Sequence, residues 1–148
     1  MPMVTQSISL PIKMKTEAGF YQQLKTAVKT SRNRKLSLTR IENWAGQGIP
    51  DLLICDELGL FHFVELKFCK GNAVNLSPHQ VAWLTRHKSS SSWVLVKKQS
   101  KPESAPFLFL YHAKQAIELK SNGLKTEAVF SCEKKFAWDS VFNLIAPI

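Results

Sequence analysis

The stretch from Gly48 to Lys67, GIPDLLICDELGLFHFVELK, constrains the fold of this chain more than any other part of the sequence. Residues 52–55 form a short apolar run after a proline, which is typical of a buried β-strand. Residues 56–60 contain the acidic and glycine residues that favour a turn. Residues 61–67 then alternate between two faces with the period of a strand. We therefore predict a β-hairpin here.

The predicted register of this hairpin brings two carboxylates together. If the loop holds residues 56–60, Asp51 lies opposite Glu65, and the other opposed pairs are Cys55–Phe61 and Leu53–Phe63. Lys67 follows Glu65 by two residues and therefore shares its face. A shift of one residue would instead move Asp51 to the other face of the sheet. The prediction depends on this register.

Two opposed carboxylates need a compensating charge. Directly opposed side chains in an antiparallel pair have Cβ atoms about 4.5–5.5 Å apart, where like charges are destabilising. Carboxylate oxygens at this spacing are hard ligands suited to Mg²⁺ or Mn²⁺. The alternative interpretation is a surface hairpin in which Asp51 helps to start a strand while Glu65 and Lys67 are solvated. The short pattern alone does not separate the two.

The residues around this hairpin resemble a known catalytic core. Pro50-Asp51 and Glu65-Leu66-Lys67 match the motif of the PD-(D/E)xK nuclease superfamily. More narrowly, the chain is similar to the VRR-NUC group and its Holliday junction resolvase-like relatives encoded by bacteriophages. In that group the two strands follow a glycine, here Gly48, and precede a glycine-containing loop and a helix start, here Gly71 and residues 76–80, LSPHQ. The resemblance covers residues 17–111.

This resemblance implies both a fold and a site. The implied fold is an α/β (α+β) restriction-endonuclease-like core, with a mixed central β-sheet flanked by helices. The implied activity is hydrolysis of DNA phosphodiester bonds with Mg²⁺, and Mn²⁺ is expected to substitute. The residues expected to carry the catalysis are Asp51, Glu65, Lys67, Glu17 and Gln80. The expected metal ligands are Asp51, Glu65, the Leu66 carbonyl and Glu17.

Glu17 and Gln80 each have an ordinary structural interpretation as well. Thr16 is a plausible N-cap, and the helix that follows has an apolar face at positions 20, 24, 27 and 28, which Glu17 shares. An acid in a first helical turn is also favoured by the helix dipole. Ser77 and Pro78 predict a second helix from Pro78 to about His87. Gln80 would lie on its surface, either near the active site or simply exposed.

The remaining elements complete a mixed α/β order within one domain, 1–148. Residues 1–15 have no helical period and are expected to form an extended arm. Further strands are predicted over residues 36–42, 93–96 and 107–111, and helices over about 113–121 and 138–145. Residues 124–148 lie beyond the resembled region as a C-terminal extension. Its amphipathic helix is expected either to pack on the core or to form a dimer interface.

The charge of the chain favours a polyanionic partner. The net charge is +9, and residues 1–50 contain only two acids. Such an imbalance suits nucleic acid, although a merely solvated basic surface is the alternative. The expected DNA contacts are Lys13, Lys15, Arg32, Arg34, Lys35, Arg40 and Lys70. The sequence contains no long apolar run and no visible secretory signal, so we expect no membrane association and a cytoplasmic location, in the host cytoplasm if the chain is phage-encoded.

The resemblance also narrows the substrate. Compact members of the resembled phage group are often homodimers that cut branched DNA such as Holliday junctions, which favours a structure-specific endonuclease. One alternative is a sequence-specific restriction or homing-type enzyme, which would need residues that contact base edges. Another is a DNA-binding module with an inactive nuclease core, against which the complete set Asp51, Glu65 and Lys67 argues.

Overall fold

The computed structural model describes residues 17–41 and 46–148 of the chain. The predicted N-terminal arm, residues 1–15, lies outside this part. The helices and strands follow one another along the chain in a mixed order. They are α1 (Glu17–Thr30), β1 (Ser37–Arg40), β2 (Leu52–Cys55), β3 (Phe61–Cys69), α2 (Pro78–Arg86), β4 (Ser92–Lys98), β5 (Phe107–His112), α3 (Ala116–Asn122), β6 (Phe130–Glu133) and α4 (Trp138–Ile145).

The six strands form one mixed sheet in the order of the chain, β1 to β6. Every neighbouring pair is antiparallel except β3 and β4, which are parallel. Parallel neighbours need a crossover connection, and α2 supplies it. The predicted mixed α/β architecture, a sheet flanked by helices, is therefore confirmed.

The helices cover the two faces of the sheet unequally. The α1 face carries α1 and α4, and its apolar residues continue across the sheet from β1 to β6. The α2 face carries α2 and α3, and its buried cluster draws its strand residues from β3, β4 and β5. Among the described residues, none from β1 or β2 belongs to that second cluster. Within residues 17–41 and 46–148, no helix therefore packs on one half of the α2 face.

The amino-acid pattern explains which side chains each face buries. In α1 the apolar residues recur at helical spacing and are all buried on the α1 face: Phe20, Leu24, Ala27 and Val28. In β3, Val64 and Leu66 point to that same face. Because successive strand residues alternate, the odd-numbered residues of β3 point to the α2 face. The charged side chains of β3 at odd positions, Glu65 and Lys67, therefore point away from the core on the α1 face.

The predicted hairpin register is confirmed where the ladder is formed. Cys55 pairs with Phe61 and Leu53 pairs with Phe63. The first strand is shorter than the prediction over residues 36–42, because β1 spans only Ser37–Arg40. Glu42, the last predicted residue, lies outside the described residues. None of the helices in the described ranges combines the length and the apolar character needed to cross a membrane.

The C-terminal segment is part of this domain. β6, which the sequence analysis did not predict, extends the sheet beside β5. α4 packs on the core through three buried residues, Val141, Phe142 and Ile145. Of the two alternatives open from the sequence, packing on the core is therefore the one observed.

Arg34 fastens α4 to the hairpin turn. Its Nε and Nη2 atoms donate to the two carboxylate oxygens of Glu57, both at 2.9 Å. Its Nη1 atom donates to the Phe142 carbonyl at 3.2 Å and to Asn143 Oδ1 at 2.9 Å, and Nη2 also donates to the Ala146 carbonyl at 2.6 Å. The hydrogen bonds from Arg34 to the Glu57 carboxylate are the largest cause that lowers the pKa of Glu57 to about 2.

Every donor of the Arg34 guanidinium is therefore occupied, since the group has five N–H bonds and five acceptors surround it. The residue is 4% exposed. The prediction that Arg34 contacts DNA is corrected by this structure. A side chain this deeply buried and fully bonded holds the fold together and does not offer its charge to a phosphate.

A second buried polar network lies on the α1 side of β3. His62 Nε2 is 2.8 Å from Asp56 Oδ2, and His62 Nδ1 is 2.6 Å from Ser91 Oγ. The other Asp56 oxygen accepts two backbone N–H bonds of the hairpin turn, at 2.9 and 3.0 Å. The His62 hydrogen bond is the main cause that lowers the pKa of Asp56. The network ties the turn to the residues that precede β4.

We predict that Arg34→Lys destabilises the protein, whereas Arg32→Lys does not. Lysine keeps the charge but has only three donors and no planar fork, so buried acceptors lose their partners. The expected loss is about 2–4 kcal/mol, which corresponds to a melting temperature lower by roughly 5–15 °C. Thermal unfolding followed by circular dichroism measures it. Arg32 is exposed and serves as the matched control. Equal melting temperatures for the two variants would contradict the structural role of Arg34.

Candidate metal centre

The hairpin places Asp51 and Glu65 beside each other. Asp51 directly precedes β2, one position beyond the pair Leu52–Val64 that ends the ladder. Its Oδ2 atom accepts a hydrogen bond of 3.1 Å from the Leu66 backbone N–H. The Asp51 charge is also one of the causes that raise the pKa of Glu65. The structure therefore brings these two predicted site residues together.

Glu65 is a buried carboxylate with an incomplete set of partners. It is 2% exposed. Its Oε2 atom accepts a 2.9 Å hydrogen bond from Gln80 Nε2 and lies 3.5 Å from Lys67 Nζ. Its Oε1 atom is buried, and no described residue forms a hydrogen bond with it. A buried carboxylate oxygen without a partner is energetically costly, so a further positively charged group is expected here.

The electrostatics of Glu65 follow from this environment. Burial is the largest cause, and together with the neighbouring Asp51 it raises the pKa of Glu65 to about 8. Lys67 acts in the opposite direction. The solvated interpretation of the hairpin is therefore wrong for Glu65. Without a cation the carboxyl group holds its proton through most of the neutral range.

The start of α2 fixes the orientation of Gln80. Ser77 is the N-cap and Pro78 occupies the first turn. The Gln80 backbone N–H donates to Ser77 Oγ at 3.1 Å, and the Ser77 backbone N–H donates to Gln80 Oε1 at 2.9 Å, forming a capping box. Because the cap occupies the amide oxygen, the amide NH₂ group of Gln80 is directed at Glu65. The LSPHQ segment thus positions a hydrogen-bond donor in the site.

Gly48 allows the loop before Asp51 to pack closely against the start of α2. Its φ is +85°, a conformation that favours glycine. A Cβ atom at this position would overlap the His79 carbonyl and would lie 3.1 Å from the Gln80 nitrogen. The close approach needs a residue without a side chain. It sets the distance between the strand that carries Asp51 and the helix that carries Gln80.

The other predicted catalytic residues lie close to this centre. Lys67 has a side chain that is 12% exposed and stands on the same face as Glu65. Glu17 is the first residue of α1 and is exposed. Its charge is the smallest of the causes that raise the pKa of Glu65, so it lies within electrostatic range. The Leu66 peptide, whose carbonyl is a predicted ligand, lies between Glu65 and Lys67, and its N–H is the group bound to Asp51.

The basic residues predicted to contact DNA differ in their exposure to solvent. Lys13 and Lys15 lie outside the described residues. Arg34 is buried, as described above. The remaining four are exposed: Arg32, Lys35, Arg40 and Lys70. These four remain available to a polyanion.

The donor set fits a hard divalent cation. Among residues 17–41 and 46–148, no group of three or more His, Cys, Asp or Glu side chains is arranged to hold a metal ion. Mg²⁺, however, is usually held by one or two carboxylates and keeps several water ligands. The two carboxylates of Asp51 and Glu65 match that requirement. The Oε1 atom of Glu65, which has no partner among the described residues, is free to serve as a ligand. Both side chains offer oxygen only, which favours Mg²⁺ or Mn²⁺ over softer metals.

Comparisons with protein-family models, with curated proteins and with solved structures give no match. The function must therefore be inferred from the geometry and chemistry of this centre. Sequence reasoning had identified its carboxylates, its lysine and its glutamine. It did not single out the buried polar groups elsewhere, Asp56, His62 and Lys97. Lys97 lies on the α1 face, where its Nζ donates to Gln23 at 2.9 Å.

We predict that Glu65→Gln stabilises the metal-free protein at high pH. The pKa of Glu65 is about 8 in the folded state against 4.5 for a free glutamate, so the wild-type protein loses stability as the pH rises from 4.5 to 8. The difference between variant and wild type should grow over this window to at most about 4 kcal/mol. Urea unfolding in EDTA at several pH values measures it.

Addition of Mg²⁺ should narrow this difference. A cation that binds only the folded state stabilises the wild type, by about 2.7 kcal/mol at a hundredfold excess over Kd, and should leave Glu65→Gln nearly unaffected. Glu127→Gln changes an exposed carboxylate and is the control. An equal response of both variants to Mg²⁺ would contradict a metal centre at Glu65.

We further predict that Gly48→Ala disrupts the centre while Gly71→Ala is harmless. Alanine at position 48 meets both a strained φ and the backbone of α2, so a loss of about 1–3 kcal/mol is expected together with weaker Mg²⁺ binding. Gly71 has no atom near the position of a Cβ and is the matched control. Calorimetric titration with Mg²⁺ tests this prediction. Unchanged Mg²⁺ affinity in Gly48→Ala would mean that the loop does not position Asp51.

Proposed function

We propose that this protein is a metal-dependent DNA endonuclease of the PD-(D/E)xK type with a restriction-endonuclease-like core. The observation that carries the proposal is the buried Glu65, one of whose oxygens has no hydrogen-bond partner among the described residues, next to Asp51 and Lys67. Burial and Asp51 raise the pKa of Glu65 to about 8, so without a cation its carboxyl group stays protonated at neutral pH. A divalent cation bound here would favour the ionised carboxylate.

The arrangement of elements supports the proposal. Asp51 directly precedes β2, Glu65 lies in the adjacent antiparallel strand β3, and the helix after β3 supplies Gln80. α1, which begins with Glu17, packs against β3 from the other face. This is the order of elements that the sequence resemblance implies.

The residues of the site divide the work of hydrolysis. Asp51 and Glu65 hold the cation, with Glu17 directly or through water and with the Leu66 carbonyl as a further oxygen ligand. A bound Mg²⁺ or Mn²⁺ supplies a water nucleophile at neutral pH and polarises the phosphate. Gln80 keeps the Glu65 carboxylate in position through its 2.9 Å hydrogen bond.

Lys67 has a separate role in this scheme. Its ammonium group is 3.5 Å from Glu65 and partly exposed, so it can reach a phosphate as well as the carboxylate. There it orients the attacking water and offsets the negative charge that develops on the phosphate. The exposed basic residues Arg32, Lys35, Arg40 and Lys70 hold the DNA backbone, which makes binding strongly salt-dependent.

The substrate that fits the proposal is branched DNA, of which the four-way junction is the main candidate. Symmetric cutting of two strands at a junction needs two active sites, and a two-fold homodimer supplies them. The proposed enzyme is therefore a homodimer that acts on DNA structure.

The decisive experiment measures cleavage of labelled linear duplex, single strand, flap, fork and four-way junction. We predict paired cuts in the junction with Mg²⁺ or Mn²⁺ and none with EDTA. Lys67→Ala should lower the cleavage rate at least a hundredfold, as expected when a group that stabilises the transition state is removed. Lys125→Ala, an exposed lysine outside the site, is the control.

Each other outcome has a definite meaning. Cuts at one fixed sequence in linear duplex would replace the junction substrate with a sequence-specific one. Salt-sensitive DNA binding without cleavage under any divalent metal would refute the enzyme and leave a DNA-binding module. Cleavage that survives in Lys67→Ala would refute the assigned site.

A further inference from the structure

The half of the α2 face on which no described helix packs is a surface that the proposed catalytic residues do not explain. Its rows are given by the strand register: Ser37, Cys55 and Phe61 form one row, and Thr39, Leu53 and Phe63 form the next. Asp51 and Glu65 form the row after that. The first two rows are mostly half-buried or exposed, and the Phe61 side chain is 60% exposed. This surface, the open sheet face, therefore leads directly to the candidate metal centre.

Aromatic residues line the approach to the centre. Phe61, Phe63 and Glu65 occupy successive positions on the same face of β3. Trp83 of α2 borders this line, with its ring centre 5.1 Å from that of Phe63 in an edge-on arrangement. His87 stacks on Trp83 at 3.9 Å. The wall of the open sheet face beside the centre is thus aromatic.

The spacing of these residues selects the form of DNA that fits. Two residues along a strand advance by about 6.6 Å. Stacked bases in a duplex are only about 3.4 Å apart along each strand. Bases on Phe61 and on Phe63 therefore cannot remain stacked on one another, so the strand must be stretched and unpaired. Exposed aromatic residues on a sheet face are a known means of stacking such bases.

We infer that Phe61 and Phe63 form a stacking platform for unpaired bases of the DNA strand whose phosphate lies at Asp51 and Glu65. The inference rests on the proposed nuclease site, since that site defines where the phosphate lies. It gives the enzyme a reason to prefer branched or single-stranded DNA, because a closed duplex offers no free base to the platform.

A nucleic-acid strand fits this face better than a protein partner does. The face borders a site with a lysine, and the chain carries a net charge of +9. Lys35 is exposed in the segment that leads into β1, next to the row of Phe61. Aromatic side chains combined with positive charge are the features that bind single-stranded DNA without sequence preference.

Binding in EDTA tests the platform independently of cleavage. The probes are a fluorescein-labelled single-stranded oligonucleotide, the matching duplex, and a single strand that contains 2-aminopurine, whose fluorescence falls on stacking. Phe61→Ala should weaken single-strand binding about 5- to 100-fold and abolish the 2-aminopurine quench, while duplex affinity changes less than about twofold. Phe63→Ala should do the same, and Phe61→Trp should retain binding.

Phe107→Ala removes an exposed phenylalanine from β5, away from the open sheet face, and should change nothing. Unchanged single-strand affinity and quench in Phe61→Ala would overturn the platform, even if the enzyme cleaves branched DNA. A change in self-association in place of DNA affinity, measured by light scattering, would also overturn it and make this face a protein interface. Binding that depends on Phe61 without cleavage under any metal would uphold the platform and refute the endonuclease.

Discussion

The burial of the Glu65 carboxylate opposite Asp51 is the interaction on which the candidate site depends. Removing a carboxylate from water costs several kcal/mol unless its oxygens find charged or hydrogen-bonded partners. Gln80 and Lys67 contact one oxygen of Glu65, and the other oxygen has no partner among the described residues. In the metal-free protein Glu65 avoids a buried charge by keeping its proton, because burial and Asp51 raise its pKa to about 8. In the proposed nuclease, a divalent cation would take the place of that proton.

The remaining buried polar groups behave differently, and this contrast gives Glu65 its meaning. Arg34 has an acceptor for each of its donors, and His62 has partners on both ring nitrogens. Fully satisfied networks of this kind are what a stable core requires. They fasten the hairpin turn to α4 and to the start of β4. These networks hold the strands in place. The buried side-chain oxygen that has no partner among the described residues belongs to Glu65.

The sequence predicts those features whose cause is local. The hairpin register follows from loop length and strand period, and the start of α2 follows from Ser77 and Pro78, whereas the orientation of Gln80 was left open. Arg34 could not be assigned in this way, because its backbone acceptors lie more than 100 residues further along the chain. β6 is likewise short, half-exposed and defined only by its pairing with β5. Composition and periodicity describe local sequence only, so they cannot predict contacts between residues far apart in the chain.

In the proposed nuclease, the unequal covering of the α2 face would let a buried carboxylate meet a large substrate. β3 lies at the boundary, with helices above β4 and β5 on one side and the open sheet face above β1 and β2 on the other. Along this one strand the exposure falls from 60% at Phe61 to 2% at Glu65. The low dielectric around Glu65 strengthens every charge interaction there, while four residues away the strand is open to solvent. In the proposed nuclease, the position of Glu65 on this boundary strand would combine desolvation of a metal ligand with access for a polymer.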